Sequence, residues 1–392
     1  MLKANALSQE QIKEMNRVKI IKIIKERQVT TKQEIAEYLG LSIPTVTTNI
    51  NQLVEEGLVE EAGVAKSTGG RKPIVLKFVE NAKYSFGANI SGNKVEILLV
   101  NLNGEQIAKD EFEVADGEPF ENILATLKIS IYNLMNNHSI DKSKVIGVGL
   151  ALPGLVDDDG LVLEYAPNMG ISNFHFESFQ RDLGLKISIE NEANIAAFAE
   201  QLMGNAKDKS NSVYVSITEG VGTGIIIDNH IYKSNQKKAG EFGHIRISDE
   251  PKACKCGRTG CWETFASKNA LIKYYKEETQ GTIATIDAIF SAYDSGDQSA
   301  KRALKKYIGY LLRGIENIIL ALNPDYVIIG GELGGYDVIV MELAEAHIPM
   351  VGEYLEYEGT KILFSKLGSI GALMGAALLP LEAIFNYKKN VI

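Results

Sequence analysis

Cysteine and tryptophan are scarce in this 392-residue sequence, which contains three cysteines and one tryptophan. All three cysteines lie within one short segment, residues 254–261, which excludes a framework of disulfides spread along the chain. Long apolar runs are also missing: no stretch reaches 18 uninterrupted apolar residues, and the first residues contain no apolar segment of signal-peptide length. These absences predict a cytoplasmic protein that does not use a membrane.

Charge is unevenly distributed along the chain. The net charge is -9, but residues 1–80 contain 12 lysines and arginines against 10 acidic residues, whereas the remainder contains 29 against 40. The composition, 45% hydrophobic and 23% charged, is that of a globular protein long enough for two or three domains. An acidic body restricts contact with phosphates to the N-terminal end, although this slight basic excess is weak evidence for such contact.

The N-terminal segment contains three predicted helices. The first covers Gln9 to Arg27, with apolar residues at helical spacing on its packing face: Ile12, Met15, Val18, Ile21 and Ile24. Thr31 and Glu34 form a capping-box pattern for a second helix that ends at Leu39. A third helix, with Ser42 as its N-cap and Pro44 in its first turn, is predicted to end near Glu56.

The third helix has the pattern of a DNA-recognition helix. Its predicted buried stripe is Ile43, Val46, Ile50, Leu53 and Val54. Uncharged polar residues then face outward, as reading of the major groove requires: Thr45, Thr47, Thr48, Asn49, Asn51 and Gln52. Two short strands follow, around a glycine-rich loop with cations for the DNA backbone: Lys66, Arg71 and Lys72. We predict a winged helix-turn-helix over residues 1–80; the alternative is a three-helix packing module with a solvated face.

The rest of the chain reads as two related α/β halves. Strands predicted after Phe78 are separated by glycine and asparagine turns, and a similar plan of strand, glycine turn and strand returns at Ser212 to Tyr232. Predicted helical stretches cover residues 119–137, 192–204, 267–293 and 298–322. We expect a first lobe at 81–210 and a second at 211–392, with the C-terminal helices as candidates to return to the first lobe.

Four segments place carboxylates, amides or an imidazole beside small residues, where they can converge on a hydroxyl-rich ligand. They are PNMG (167–170), IENEANIAAFAE (189–200), GEFGH (240–244) and CWETFAS (261–267). Carboxylates accept hydrogen bonds from sugar hydroxyls, and such charge-assisted bonds are strong. A sugar in the cleft between the halves is therefore the predicted ligand. Taken one by one, these glutamates are also compatible with helix caps or solvated surface positions.

The order of these motifs, together with CKCGRTGC and the N-terminal module, resembles the ROK family of repressors and sugar kinases, and most of all its xylose-repressor branch. The resemblance implies a duplicated actin-like, ribonuclease-H-like fold of the sugar-kinase type. It also implies a set of sugar-binding residues: Gly154, Asn168, Gly170, Asn191, Glu192, Glu241, His244 and Glu263. Xylose is the preferred sugar on this resemblance; glucose, N-acetylglucosamine or another aldose would use similar groups.

The cysteine segment predicts a structural zinc site. His244, Cys254, Cys256 and Cys261 have the pattern H-x9-C-x-C-x4-C, and three thiolates with one imidazole suit a closed tetrahedral zinc. The alternative, three buried free thiols, does not explain their clustering near a histidine. Because imidazole has two ring nitrogens, His244 can bind zinc with one and meet the sugar with the other. The resemblance implies the same double role.

A repressor and a sugar kinase are the two functions that remain open. In the family's kinases the first phosphate loop reads D-x-G-G-T, whereas Asn89 and residues 91–93 stand there in this sequence. Glu219 replaces a small hydroxyl residue in the second loop, and Glu192 replaces the aspartate base. We therefore expect no enzyme, but a sugar-responsive repressor that binds an inverted repeat as a homodimer and is released by an aldose. The sequence leaves corepression open, and an active sugar kinase fused to a DNA-binding module is the alternative.

Overall fold

A computed structural model describes residues 8–64, 74–157, 161–234, 237–281, 284–345 and 359–385. Its N-terminal module has three helices and a three-stranded sheet of order β1-β3-β2. The elements are α1 (Gln9–Arg27), β1 (Val29–Thr31), α2 (Lys32–Leu39), α3 (Ile43–Glu55), β2 (Val59–Val64) and β3 (Ile74–Phe78). Capping boxes begin α1 and α2, and the Ser42 hydroxyl caps α3. This is the predicted winged helix-turn-helix; the three wing cations lie outside the described residues.

Helix α1 buries only the second half of its predicted packing face: Val18, Ile21 and Ile24 are buried as predicted. Ile12 and Met15 are exposed, whereas Ile20 and Ile23 are buried together with Arg17. The reason is that the second half of α1 is enclosed by other elements, which are α2, α3, β3 and a helix from the C-terminal end of the chain. The Arg17 guanidinium forms an ion pair with Glu56 at 2.5 Å, which compensates its burial.

Helix α3 also departs from its predicted pattern. Ile43 and Val54 are 46% and 37% exposed, so their assignment to the buried stripe was wrong. Asn49, predicted to face outward, is 2% exposed, and its amide donates to the Thr45 carbonyl at 2.8 Å. Burial of Val46, Ile50 and Leu53 is confirmed: these residues and Asn49 lie on one helical face that packs inward.

Lobe one is built on a five-stranded sheet of order β11-β7-β4-β5-β6. Its strands are β4 (Tyr84–Ile90), β5 (Lys94–Asn101), β6 (Gln106–Glu113), β7 (Val145–Leu152) and β11 (Ile187–Asn191). A small second sheet carries β8 (Leu155–Val156), β9 (Val162–Ala166) and β10 (Ile171–His175). The helices are α4 (Phe120–Asn137), α5 (Glu177–Leu183) and α6 (Glu192–Met203). The predicted strands after Phe78 are thus confirmed.

Lobe two repeats this plan. Its sheet has the order β14-β13-β12-β15-β16, with β12 (Ser212–Ile217), β13 (Val221–Ile227), β14 (His230–Ile231), β15 (Tyr326–Gly331) and β16 (Lys361–Phe364). In both lobes three antiparallel strands come first along the chain, and two parallel strands then join the side of the first strand. This shared order confirms the predicted duplication.

The helices of lobe two follow β14. They are α7 (Glu263–Ala266), α8 (Lys268–Glu278), α9 (Ile286–Asp294), α10 (Gln298–Leu322), α11 (Asp337–Glu345), α12 (Gly371–Leu378) and α13 (Glu382–Phe385). The stretch 267–293, predicted as one helical region, contains two helices, because α8 ends at Glu278 and α9 begins after its Thr285 cap. Helix α10 matches the predicted range 298–322.

The helix that follows the fifth strand of each lobe crosses to the other lobe. Helix α6 packs on β12 and β13 of lobe two, while α12 packs on β4 and β7 of lobe one, and the two helices contact each other. Gly149 permits this approach, because a Cβ there would lie 2.0 Å from the Ala376 carbonyl oxygen. The apolar stretch Gly368–Phe385 is long enough to span a membrane by length and composition, but 61% of it is buried inside the protein.

The N-terminal module shares a hydrophobic core with the body. One cluster of buried residues includes isoleucines of α1, Phe78 of β3 and most of the segment from Leu373 to Phe385. The rings of Phe78 and Phe385 are 6.3 Å apart, and Lys25 donates to the Leu102 carbonyl of lobe one at 2.7 Å. The N-terminal module therefore packs on the C-terminal segment that continues from α12.

Candidate functional site

The corner between β11 and α6 carries two predicted sugar-binding residues, Asn191 and Glu192, where lobe one meets lobe two. The Asn191 side-chain oxygen caps α6 by accepting from the amides of Ala193 and Asn194, at 2.9 and 3.2 Å. Its side-chain nitrogen donates to the Gly154 carbonyl at 3.0 Å and to Glu192 at 3.2 Å. Asn191 is thus engaged within the protein, and it holds Gly154 and Glu192 together.

Glu192, the first residue of α6, has a strongly perturbed carboxyl group. Burial, together with the nearby negative charge of Glu241, raises its pKa to about 7, against a lowering by a backbone hydrogen bond. Its carboxylate lies beside Gly222 of lobe two, 4.0 Å from the position that a Cβ on this glycine would take. A carboxyl that titrates near neutrality can both donate to and accept from a hydroxyl.

The GEFGH segment lies against the first hairpin of lobe two. It forms a short 3-10 turn, Glu241–His244, and a Cβ on Gly243 would lie 2.0 Å from the Val221 carbonyl oxygen, so only glycine fits there. The turn brings Glu241 to the cleft, with one of its oxygens 3.7 Å from His244 Nε2. The other ring nitrogen, Nδ1, lies 3.7 Å from Glu263.

His244, Cys254, Cys256 and Cys261 form a cluster that could hold a metal ion, with their ligand atoms all within 4.8 Å of one another. The Cys254 sulfur is 3.5 Å from His244 Nδ1, and the sulfurs of Cys256 and Cys261 are 3.7 Å apart. A tetrahedral zinc with bonds of about 2.3 Å places neighbouring sulfurs about 3.8 Å apart, so the spacing fits. Partial desolvation opposes ionisation of Cys256, but hydrogen bonds from Arg258 lower the pKa of its thiol to about 6.

The metal loop, defined as residues 251–261, is anchored to lobe two by a lysine. Lys252 Nζ lies 4.0 Å from the ring centroid of Phe265 and 4.9 Å from that of Tyr274, whose hydroxyl accepts its hydrogen bond at 3.2 Å. Such cation–π contacts fix a charged side chain against aromatic faces. Glu263, a predicted sugar-binding residue, accepts a hydrogen bond from the Cys254 thiol at 2.9 Å. The predicted sugar-binding residues and the metal cluster are therefore in direct contact.

Asn168 and Gly170 lie on the lobe-one side of the cleft. Asn168 is in a 3-10 turn, Pro167–Met169, which Gly170 ends in the left-handed conformation with φ of 66°. The Asn168 side-chain oxygen accepts from Lys255 of the metal loop at 3.3 Å. This contact joins the rims of the two lobes.

The second glycine loop, Thr218 to Gly224, carries a compensated acidic group. Glu219 pairs with Lys268 at 2.7 Å and accepts from the Asn269 amide at 2.5 Å, while Lys268 also pairs with Glu332 at 2.7 Å. Burial of Glu219 is outweighed by its bonds to Lys268 and Asn269, which lower its pKa. Lys268 is therefore held between two carboxylates at this loop.

The predicted DNA-contacting residues of α3 do not share one environment. Thr48 and Asn51 are exposed, Thr45, Thr47 and Gln52 are half-buried, and Asn49 is buried as described above. Thr48 donates to the Pro44 carbonyl at 3.0 Å, which leaves its acceptor positions open. The outer face of α3 also presents Ile43 and Val54, which the sequence pattern had placed inside.

One ion pair at the site was missed by sequence reasoning. Glu190, 2% exposed, pairs at 2.6 Å with Lys233, which follows β14 in lobe two. The sequence shows a carboxylate in the IENEAN motif but gives no indication of its partner, because the two residues are far apart along the chain. Only the folded arrangement of the lobes brings them together.

Comparison with known proteins agrees with this architecture. The ROK family profile matches residues 85–383, and a profile for winged helix-turn-helix DNA-binding matches residues 16–60. The chain is 30% identical over 368 residues to the xylose repressor of Bacillus subtilis (strain 168), which covers 94% of this chain and 92% of that protein.

Two solved structures extend the comparison. The crystal structure of a ROK family transcriptional regulator, a homologue of the Escherichia coli Mlc protein, has a TM-score of 0.82 at 24% identity and covers 96% of this chain and 98% of its own. A ROK family glucokinase from Streptomyces griseus, solved with glucose and AMPPNP, has a TM-score of 0.67 at 25% identity and covers 76% of this chain and 98% of its own. The duplicated body and the N-terminal module are thus both found in known structures, and this chain belongs to the ROK family.

Proposed function

We propose that this chain is a cytoplasmic, sugar-responsive transcriptional repressor. The observation that carries the proposal is that one continuous core joins a winged helix-turn-helix to a two-lobed body in which Glu192, Glu241, His244 and Glu263 lie close together. Such acidic and imidazole groups suit a neutral polyhydroxy ligand, because they accept from hydroxyls. The similarity to a protein named xylose repressor makes D-xylose the first candidate for the inducer.

The path from the cleft to the DNA-binding module follows packed elements. Helix α6 begins at the sugar site, packs against α12, and α12 continues into α13, which contacts α1. A sugar that changes the angle between the lobes would shift α6 against α12. This shift would also move the C-terminal segment on which α1 packs. We propose that this movement changes the spacing of two recognition helices in a homodimer bound to an inverted repeat, so that the aldose releases the operator.

DNA contact is assigned to the exposed part of α3 and to the wing. Thr48 and Asn51 face solvent and are proposed to read bases, while Thr45, Thr47 and Gln52 flank them. Lys66, Arg71 and Lys72 are proposed to contact phosphates. Light scattering at micromolar concentration tests the dimer, and a monomer at that concentration contradicts it.

The metal cluster is proposed to bind zinc in a structural role. Four protein ligands leave no open coordination position, so the ion would act by holding the metal loop and the His244 ring, not as a Lewis acid. With Nδ1 directed to the cluster and Nε2 to Glu241, the ring is oriented to contact a sugar at the cleft.

An active sugar kinase is the alternative, favoured by the likeness of the body to a glucokinase. Lys268 is already shared by Glu219 and Glu332, and a carboxylate at that loop repels phosphate oxygens. We therefore propose that the chain is no enzyme. Incubation with ATP, Mg²⁺ and a panel of aldoses tests this: we expect no sugar phosphate above background, and turnover near 1 per second or faster would overturn the proposal.

A thermal-shift screen of aldoses tests the sugar site itself. A ligand at about 100 times its dissociation constant stabilises the folded protein by about 2.7 kcal/mol, which is readily measured. We expect D-xylose to raise the melting temperature, and the Glu241→Gln variant to lose this shift. If none of the aldoses raises the melting temperature, the proposed sugar site is wrong.

A further inference from the structure

The Glu190–Lys233 ion pair joins the two lobes directly behind the proposed sugar site. Glu190 is the fourth residue of β11 in lobe one, and Lys233 lies two residues after β14 in lobe two. The carboxylate is 2% exposed, whereas the lysine side chain is 23% exposed. A buried carboxylate needs compensation by charge and hydrogen bonds, and here the charge comes from the opposite lobe.

The same carboxylate holds the first turn of α6. One Glu190 oxygen accepts from the Asn191 amide at 3.0 Å and from the Asn194 side chain at 3.3 Å, while the other oxygen meets Lys233 at 2.6 Å. Asn191 in turn caps the helix and donates to Glu192. The orientation of the Glu192 carboxyl thus depends on a corner that is complete only when Lys233 is in place.

We propose that Lys233 is a positioning residue for the sugar site: it reaches across from lobe two and neutralises Glu190, which keeps the β11–α6 corner in its ligand-binding geometry. This inference rests on the proposed function. It makes sugar binding depend on the contact between the lobes, since separation of the lobes removes the lysine and leaves a buried carboxylate unpaired. That state favours hydration of Glu190 and a shift of the corner.

The burial of the two partners predicts an asymmetric response to mutation. Lys233→Met leaves Glu190 charged, buried and unpaired, so sugar affinity should fall by about tenfold or more. Glu190→Gln leaves the more exposed lysine to be hydrated and keeps an amide oxygen for the Asn191 amide, so the loss should stay within about threefold. The double variant Glu190→Gln/Lys233→Met should bind sugar as well as Glu190→Gln. Lys238→Met, an exposed lysine in the same connection, is the matched control.

Isothermal titration with D-xylose and the other aldoses of the screen measures this series on the full-length protein, with zinc content and operator affinity without sugar recorded for each variant. We expect both of these to stay within about twofold of wild type, because the pair acts on the sugar corner. Lys233→Arg should bind sugar about as tightly as wild type, since arginine keeps the positive charge beside Glu190. If Lys233 had only a structural role, the additional Glu190→Gln change would not restore the sugar affinity lost in Lys233→Met.

The inference alone is overturned if wild-type protein binds a sugar and Lys233→Met binds it equally well, or if the double variant is as weak as Lys233→Met. A similar loss in Lys238→Met would also overturn it, because the effect would then be one of general charge. If wild-type protein binds no sugar, the proposed function fails, and this inference fails with it.

Discussion

The two lobes share one strand order but differ at the corner that follows the fifth strand. In lobe one, that corner carries Glu190, Asn191 and Glu192, which are joined to one another by hydrogen bonds. In lobe two, the corresponding corner has no carboxylate of its own; Ser365 and the Leu367 amide donate to Glu200 of α6, at 2.5 and 3.2 Å. Duplication therefore supplies the frame, and the side chains at one of two equivalent corners form the proposed ligand site.

The first hairpins of the lobes show a second difference. The turn of lobe one is closed on itself, because the Ser91 hydroxyl donates to the Lys94 carbonyl at 2.8 Å. The turn of lobe two carries Glu219, which is tied to Lys268. Neither arrangement resembles a cradle of donors for phosphates, whereas the sugar corner is well developed. This contrast supports the proposal that the chain binds a sugar without transferring phosphate to it.

The largest effect should come from the metal loop, which belongs to lobe two alone. Cys256→Ser should abolish stoichiometric zinc binding and weaken sugar binding by about 10- to 100-fold, because the loop holds His244 and Glu263. Mass spectrometry for zinc and titration calorimetry for sugar measure the two effects. Thr259→Ala, an exposed position of the same loop, is the control. Zinc loss with unchanged sugar affinity would show that lobe one binds the sugar without this loop.

The next effect concerns the lobe-one corner and pH. Because burial raises the pKa of Glu192 from 4.5 to about 7, its favourable contribution to folding is complete below pH 4.5 and is lost as the pH rises to 7. Glu192→Gln has no carboxyl group to titrate. Its free energy of unfolding should therefore rise relative to that of wild type by up to about 3 kcal/mol between pH 4.5 and pH 8. Urea unfolding without sugar at several pH values measures it. If the difference in free energy of unfolding between the two proteins stayed constant with pH, the raised pKa of Glu192 would be contradicted.

A smaller effect should follow from removal of the α6 cap. Asn191→Ala should reduce the free energy of unfolding by about 1–2 kcal/mol, because two amides of the first turn lose their acceptor. Asn191→Ser keeps a capping oxygen but loses the donor to Gly154. We therefore expect its free energy of unfolding to fall by roughly half as much as in Asn191→Ala, and its sugar binding to be weaker than in wild type. Equal stabilities of all three proteins would mean that this corner, like that of lobe two, needs no side-chain cap.

The smallest effect is expected at the rim where the lobes meet. Lys255→Met removes an exposed contact with Asn168, and such contacts contribute less than about 1 kcal/mol, so sugar affinity should fall by no more than about fivefold. Asn168→Ala should have an effect of its own if the amide also contacts sugar. Titration of both single variants and the double variant separates these roles: a purely additive double variant would show that the contact between the lobes contributes nothing.

Much of the fold followed from local signals in the sequence. The capping box at Thr31 and the Ser42 cap gave the starts of α2 and α3, and the recurring plan of strand and glycine turn gave the duplication. The metal cluster also followed from spacing, since His244 and the cysteines lie close in sequence. These features depend on neighbours along the chain, where residue types report directly on geometry.

The errors came from packing between distant elements. Ile12 and Met15 fit the helical period of α1 but lie beyond the part that the body covers, and Arg17 is buried through its pair with Glu56. Asn49 was placed outward because it is polar, but its amide finds an acceptor in the preceding turn of α3. The Lys233 partner of Glu190 likewise could not be inferred, because it depends on how two lobes meet.

The central claim is that sugar in the cleft controls DNA binding at the other end of the molecule. The most direct measurement is fluorescence anisotropy with a labelled inverted-repeat duplex, selected from random DNA, at increasing D-xylose or another aldose from the screen. We predict that saturating sugar weakens operator binding by about tenfold or more in wild type and leaves Glu241→Gln unaffected. Operator affinity that stays the same at saturating, demonstrably bound sugar would contradict the account.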